Sequence, residues 1–147
     1  MKEKVLIRKL DSRAVLPTYG SEAAAGADLY ALLDAPLTFA PGETRLIRTG
    51  LAIALPAGTV GLICARSGLA TKRGLAPANK VGVIDADYRG ELLVSLHNHA
   101  AVPAVIEPGE RIAQLLILPC ITADFLPVEA LDDTARGAGG FGSTGRN

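Results

Sequence analysis

Short apolar bursts recur along the chain, several alternating with polar positions, and Pro and Gly fall between them. Residues 5–7, V-L-I, read as a first strand, and residues 17–27 as a loop of small and turn-forming residues leading into A-G-A-D-L-Y-A, which puts Asp28 at a loop-to-strand boundary. Residues 44–55, T-R-L-I-R-T-G-L-A-I-A-L, are too rich in alternating β-branched residues to favour a helix. They predict one long strand that Gly50 could bulge, with Pro41-Gly42 and Pro56-Ala57-Gly58 punctuating its ends. Residues 59–65 form another strand, and residues 66–74 a helical turn or two with Ser67 near its N-cap and Gly74 past its end. A helix start beside Arg66 is an anion site. Further strands follow at 91–98, 102–107 and 111–119, the last with Gln114 as its lone amide.

Composition agrees with many short strands. The 147 residues suit one domain able to bury roughly 70% of the surface its unfolded chain exposes. Sixteen Gly and nine Pro exceed average usage, as a chain with frequent turns requires. Fifteen basic residues balance fifteen acidic ones, so no global field recruits nucleic acid or an anionic membrane, and an anionic ligand must be held by a local cluster. The charged N-terminus lacks a signal-peptide core, and no stretch approaches a membrane span, so a cytoplasmic protein is expected. Cys64 and Cys120 stand in strand-like apolar runs, where free cysteine behaves as a small buried hydrophobe; neither a disulfide nor a zinc site is expected.

Residues 79–91, N-K-V-G-V-I-D-A-D-Y-R-G-E, concentrate the candidate chemistry. Val81, Val83 and Ile84 favour a pleated surface, the segment 85–90 has turn composition, and a strand resumes at Glu91, which predicts a β-hairpin. In a regular strand Val81, Val83 and Asp85 share a face, ending an apolar row on a carboxylate. Such a carboxylate is either a general base or a turn cap, and local residues alone leave both open. The last residues differ again: R-G-A-G-G-F-G-S-T-G at 136–145 has five glycines in ten positions and cannot bury enough apolar surface to order itself.

Five separated segments, taken together, resemble the five motifs of the trimeric deoxyuridine triphosphate nucleotidohydrolases, the dUTPases: A-G-A-D-L-Y-A (25–31), A-R-S-G-L-A (65–70), V-G-V-I-D-A-D-Y-R-G (81–90), P-G-E-R-I-A-Q-L (108–115) and the glycine-rich tail (136–145). The resemblance implies an all-β, jelly-roll-like dUTPase fold with one short helix and a flexible glycine-rich C-terminal arm. It also implies a hydrolase domain over 1–131, an arm over 132–147 that closes an active site of a neighbouring subunit, and a homotrimer.

Residue roles implied by the resemblance follow the motifs. Asp85 would deprotonate a water for attack on the α-phosphorus of dUTP, releasing pyrophosphate and leaving dUMP. Tyr88 would lie where a ribose 2′-hydroxyl would clash. Main-chain groups of Val81, Gly82 and Val83, with the Asn79 amide, would read the uracil edge, so that a mispaired cytosine would cost about 1 to 3 kcal/mol per buried polar group. Arg66, Ser67, Gly68 and Gln114 would hold the triphosphate from two neighbouring strands. Arg136, Gly142, Ser143 and Thr144 would add contacts from the tail, and Phe141 would stack on the base. Mg2+ would bridge phosphate oxygens, with Asp28 holding one of its waters.

Two positions depart from the family pattern: Ala65, preceded by Cys64, where many members have Pro before the arginine, and Arg73, where histidine is frequent. The dCTP deaminases, which share the fold, carry a catalytic glutamate in L-E-x-x-N, whereas this chain has L-V-S-L-H-N with Ser95 at the matching place. A non-catalytic trimeric nucleotide-binding module would have no need of Asp85 as a base. His97 and His99 share a strand face, without further ligands in the neighbouring sequence.

Overall fold

The computed structural model describes residues 4–140; Phe141, Gly142, Ser143 and Thr144 lie outside the described residues. Twelve short strands and one helix follow one another: β1 (Leu6–Lys9), β2 (Thr18–Tyr19), β3 (Ala27–Tyr30), β4 (Leu37–Phe39), β5 (Thr44–Arg48), β6 (Leu51–Ala54), β7 (Thr59–Cys64), α1 (Ser67–Arg73), β8 (Leu75–Pro77), β9 (Gly82–Ile84), β10 (Leu93–Asn98), β11 (Ala104–Ile106) and β12 (Arg111–Pro119). The largest sheet has the order β2-β3-β12-β7-β9, a second has β5-β10-β8, and the pairs β1-β6 and β11-β4 complete a jelly-roll-like all-β fold. Every pairing is antiparallel.

The core explains why the strands alternate as they do. Val94, Leu96 and Asn98 of β10 point inward, as do Ile47 of β5 and Leu29 of β3, and Phe39, Leu75, Leu92, Ile106 and Ile112 join them with essentially no exposed surface. Asn98 is buried at no polar cost. Its Nδ2 donates to the carbonyls of Phe39 (3.2 Å) and Val102 (2.9 Å), while Oδ1 accepts from the Ala100 N–H at 3.0 Å.

The predicted long strand over 44–55 is two strands in different sheets: β5 pairs with β10 and β6 with β1. Gly50 makes the crossing with φ +70°, and a Cβ there would come within 2.8 Å of Ala14 Cβ and Leu32 Cδ2. The predicted hairpin is also corrected. β9 joins β7 at the edge of the large sheet, whereas β10 pairs with β5 and β8, so residues 85–92 bridge two sheets. The second strand begins at Leu93 rather than Glu91, because Glu91 and Leu92 are tied to the β5–β6 crossing: Leu92 N–H donates to the Leu51 carbonyl at 2.7 Å.

Ser67 is the first residue of α1, next to its N-cap. Arg66 takes the cap position with φ −89° and ψ 126°, no side chain caps the helix, and Gly74 ends it in the left-handed region. Cys64 is half-buried, but Cys120 is exposed, because β12 ends at Pro119 and the chain beyond has left the sheet. Residues 121–131 form no strand or helix and leave Ile121, Phe125, Leu126 and Leu131 more than four-fifths exposed. No helix among the described residues is long and apolar enough to cross a membrane.

Candidate active site

β12 is the spine of the first cluster. Its Gln114 stands opposite Asp28 of β3 on one side and Cys64 of β7 on the other, so the register alone brings motif residues from three distant segments together. Asp28 is buried, and its carboxylate is shared: Oδ1 accepts from Arg66 Nε at 2.8 Å and Oδ2 from Arg111 Nη1 at 3.1 Å. Arg66 Nη1 also donates to the Arg111 carbonyl at 3.3 Å. The extended backbone of Arg66, just before α1, lets its side chain reach back across the sheet to Asp28. Two guanidinium groups held around one carboxylate leave a net positive corner, suited to a polyanion.

Gln114 Nε2 donates to the Ala65 carbonyl at 2.8 Å. Proline would keep that carbonyl, so alanine at this position leaves the contact intact. A Cβ on Gly26 would lie 2.4 Å from Gln114 Oε1, so the glycine makes room for the amide. Ser67 and Gly68 are exposed at the start of α1, and a side chain on Gly68 would meet open space; nothing within the chain requires glycine there. Arg73 bonds Glu110 Oε1 and the Val105 carbonyl, tying the end of α1 to the turn that precedes β12.

The second cluster lies along β9 and the loop after it. Val81, Val83 and Asp85 share an exposed face, with Val83 62% exposed, so the apolar row ending on a carboxylate faces outward and not into the core. Gly82 is buried; a Cβ on it would sit 3.2 Å from Ile63 Cβ and 3.4 Å from Asn79 Nδ2, which places the Asn79 amide beside the Gly82 backbone. Lys80 has φ 65°, and the Val81 N–H donates to the Asn79 carbonyl at 2.7 Å. Tyr88 N–H donates to the Asp85 carbonyl at 3.1 Å, closing the turn, and the Tyr88 hydroxyl donates to the Glu91 carbonyl at 3.0 Å.

The two clusters stand apart within one chain. β7 runs antiparallel to β9 with Gly61 opposite Ile84 and Ile63 opposite Gly82, so Asp85 falls level with Val60, whereas Arg66 lies beyond the far end of β7. At about 3.3 Å per strand residue the offset is roughly 20 Å. Two concavities among the described residues, about 730 Å³ beside Arg73 and Glu110 and about 230 Å³ beside Arg13 and Tyr30, are lined by no candidate residue. In the tail, Arg136 Nε donates to the Gly139 carbonyl at 2.9 Å within an exposed turn and reaches neither cluster.

Three contributors escape sequence reasoning: Arg111, Gly26 and Glu91. Arg111 precedes a register shift in β12, between Arg111 and Ala113, that periodicity cannot show. Gly26 carried one available signal, a glycine at a strand entrance. His97 is satisfied structurally, its Nδ1 lying 2.7 Å from Thr44 Oγ1. Among the described residues no group of three or more His, Cys, Asp or Glu is arranged to hold a metal directly. Asp28 fits an outer-sphere role instead. Each of its oxygens accepts one arginine hydrogen bond and retains acceptor capacity for a water.

Comparison with known proteins bears on the whole chain. Over 146 residues the chain is 51% identical to the deoxyuridine 5'-triphosphate nucleotidohydrolase of Desulfitobacterium hafniense, covering 99% of this chain and 97% of that protein. The dUTPase of Staphylococcus bacteriophage 80alpha, solved with dUpNHpp, superposes with a TM-score of 0.90 at 29% identity, covering 99% and 100% of the two chains. A mutant dUTPase from phage phi11 of S. aureus, described with a structural Mg(II) ion, superposes with a TM-score of 0.80 at 26% identity over 89% of this chain and all of that one. The family model described as dUTPase matches residues 12–145, nearly the whole length, and the chain belongs to the dUTPase family.

Proposed function

We propose that this chain hydrolyses dUTP to dUMP and pyrophosphate, which limits uracil entry into DNA and supplies dUMP for thymidylate synthesis. The observation that carries the reading is the pair of clusters on one sheet: an outward carboxylate beside an aromatic on the β9 loop, and a positive corner of Arg66, Asp28 and Arg111 at the opposite end. The curated relative named above acts on dUTP by its name, and the phage enzyme holds a dUTP analogue.

In this reading a triphosphate long enough to touch both clusters of one chain does not exist, because the base must be within hydrogen-bond reach of the water it activates. Asp85 of one subunit therefore works with Arg66, Ser67, Gly68 and Gln114 of another, in a homotrimer. The exposed apolar residues of the 121–131 segment support a chain that is covered by its neighbours. Residues 1–131 form the hydrolase domain, and the arm from 132 closes a neighbouring site with Arg136, Phe141, Gly142, Ser143 and Thr144.

Asp85 takes the proton of the attacking water, which aligns against the α-phosphorus in line with the pyrophosphate leaving group. Tyr88 sits against the deoxyribose, and main-chain groups from Val81 to Val83 with Asn79 read the uracil edge. The arginines and Gln114 hold the departing phosphates and stabilise the charge that grows there. Asp28 would hold Mg2+ through a water, and the ion would supply positive charge to offset that of the triphosphate.

The test is pyrophosphate release measured in parallel from dUTP, dCTP, dTTP and UTP with Mg2+. Release from dUTP should exceed that from dCTP by at least about tenfold, the effect of roughly one mispaired polar group, and should also exceed that from UTP, whose 2′-hydroxyl meets Tyr88, and from dTTP, whose methyl group the pocket must accommodate. Similar rates on all four would contradict the proposed pocket, and ammonia release from dCTP would make the chain a deaminase.

A further inference from the structure

Glu91 carries none of the candidate chemistry, yet its two ends connect the Tyr88 loop to the frame. Its carboxylate, only 17% exposed, accepts the Gly50 N–H at 2.7 Å through Oε1 and Arg48 Nε at 3.1 Å through both oxygens. Its main-chain carbonyl accepts the Tyr88 hydroxyl at 3.0 Å. The glycine between them lets the ring lie close: a Cβ on Gly90 would come within 2.4 Å of the Tyr88 hydroxyl and 2.6 Å of Cζ. Tyr88 is otherwise exposed, and its ring is braced at its far end only by this carbonyl among the described residues. The carbonyl is in turn fixed by the crossing between β5 and β6, because the Glu91 carboxylate holds the N–H of Gly50, which makes that crossing in the left-handed region.

From this geometry we propose that Glu91 is a positioning residue for sugar discrimination. Anchored to Gly50 and Arg48, it holds a rigid acceptor for the Tyr88 hydroxyl and so sets the plane of the ring that excludes a 2′-hydroxyl. The proposal rests on the assignment of Tyr88 to the deoxyribose. A hydrogen bond of this kind shifts a preference by about three- to tenfold, so losing the anchor should lower selectivity for dUTP over UTP by that factor.

The experiment compares kcat/KM for dUTP and UTP in the full-length protein with Glu91→Ala, Glu91→Gln, Tyr88→Phe, Tyr88→Ala and the double variant Glu91→Ala/Tyr88→Phe, with folding checked by thermal melting. Glu91→Ala and Tyr88→Phe should each reduce the dUTP/UTP ratio by about three- to tenfold, and the double variant no further, because both remove one link of the same chain. Glu91→Gln, whose amide oxygen still accepts the Gly50 N–H, should stay within about twofold of the parent. An unchanged ratio in folded Glu91→Ala, or reductions that multiply in the double variant, would overturn the proposal. If Glu91→Ala does not fold, Tyr88→Phe decides, and an unchanged ratio there overturns it. A ratio unchanged in Tyr88→Ala would instead overturn the sugar assignment itself, and the positioning role with it.

Discussion

Replacing Asp28 by Asn tests the buried ion-pair corner most sharply, because it changes one atom and leaves the shape intact. Asp28 accepts from Arg66 at 2.8 Å and from Arg111 at 3.1 Å, and its side chain is 13% exposed against 27% for Arg66 and 50% for Arg111. The bond to the more buried Arg66 is worth about 1.5 to 3 kcal/mol as a charge-assisted hydrogen bond. The half-exposed Arg111 contact counts as a surface pair of under about 1 kcal/mol. Asparagine keeps one acceptor for Arg66 but turns an N–H2 donor toward Arg111, so the net loss is about 2 kcal/mol. For a chain of this size that lowers Tm by about 4 to 8 °C, measured at one fixed protein concentration because assembly also affects Tm. Arg111→Ala, which breaks only the weaker bond, should lower Tm by no more than about 4 °C. Arg66 loses its fixed orientation with Asp28→Asn, so kcat/KM for dUTP should fall at least tenfold, about 1.4 kcal/mol of transition-state stabilisation. A shift under about 1 °C with unchanged kcat/KM would refute the claim that Asp28 organises the arginines.

Two further perturbations follow from the same structure. Gly26→Ala places a methyl 2.4 Å from Gln114 Oε1 and 3.0 Å from its Cβ, so the amide must swing away from the Ala65 carbonyl. Tm should fall by roughly 4 to 10 °C and recover in part when Gln114→Ala removes the amide contact and leaves only the one to Cβ, and no recovery at all would place the strain elsewhere. Urea midpoints across pH test two charges. The Arg13 guanidinium beside Asp11 holds its carboxyl down at about 2, against an ordinary 3.8. The depressed value means the folded chain binds fewer protons, so the advantage over Asp11→Asn is full above about pH 4 and disappears as the pH falls toward 2. Partial desolvation of its imidazole, then nearby His97 and Lys80, pushes the exposed His99 below its ordinary 6.5, so the unfolded chain takes up a proton first as the medium acidifies. Stability should therefore decline as pH drops through 6.5, less so in His99→Asn, and an identical pH profile for the two would contradict that sign.

Local composition made most strands readable, because β-branched runs ended by Pro or Gly leave little choice of backbone. What escaped was partnership. Residues 44–55 read as one strand and residues 81–96 as a hairpin, yet both stretches change sheets, at Gly50 and between Asp85 and Leu92, and only three-dimensional closure decides that. The candidate residues were legible as motifs, since Asp28, Arg66 and Gln114 stand in recognisable segments. Their geometry was not, because the opposition of Gln114 to Asp28 depends on a register shift near Arg111, and the shared use of Asp28 by two arginines on which strands meet. The roughly 20 Å between Asp85 and Arg66 also follows only from the pairing of β7 with β9.

The central claim is that Asp85 activates the water while other groups bind the nucleotide. Its most direct test is Asp85→Asn, with binding of a non-hydrolysable dUTP analogue measured by calorimetry beside pyrophosphate release from dUTP. The account predicts an affinity within about threefold of the parent and a rate lower by at least about a hundredfold, the usual contribution of a general base. A variant that binds the analogue and still hydrolyses dUTP at the parental rate would contradict it.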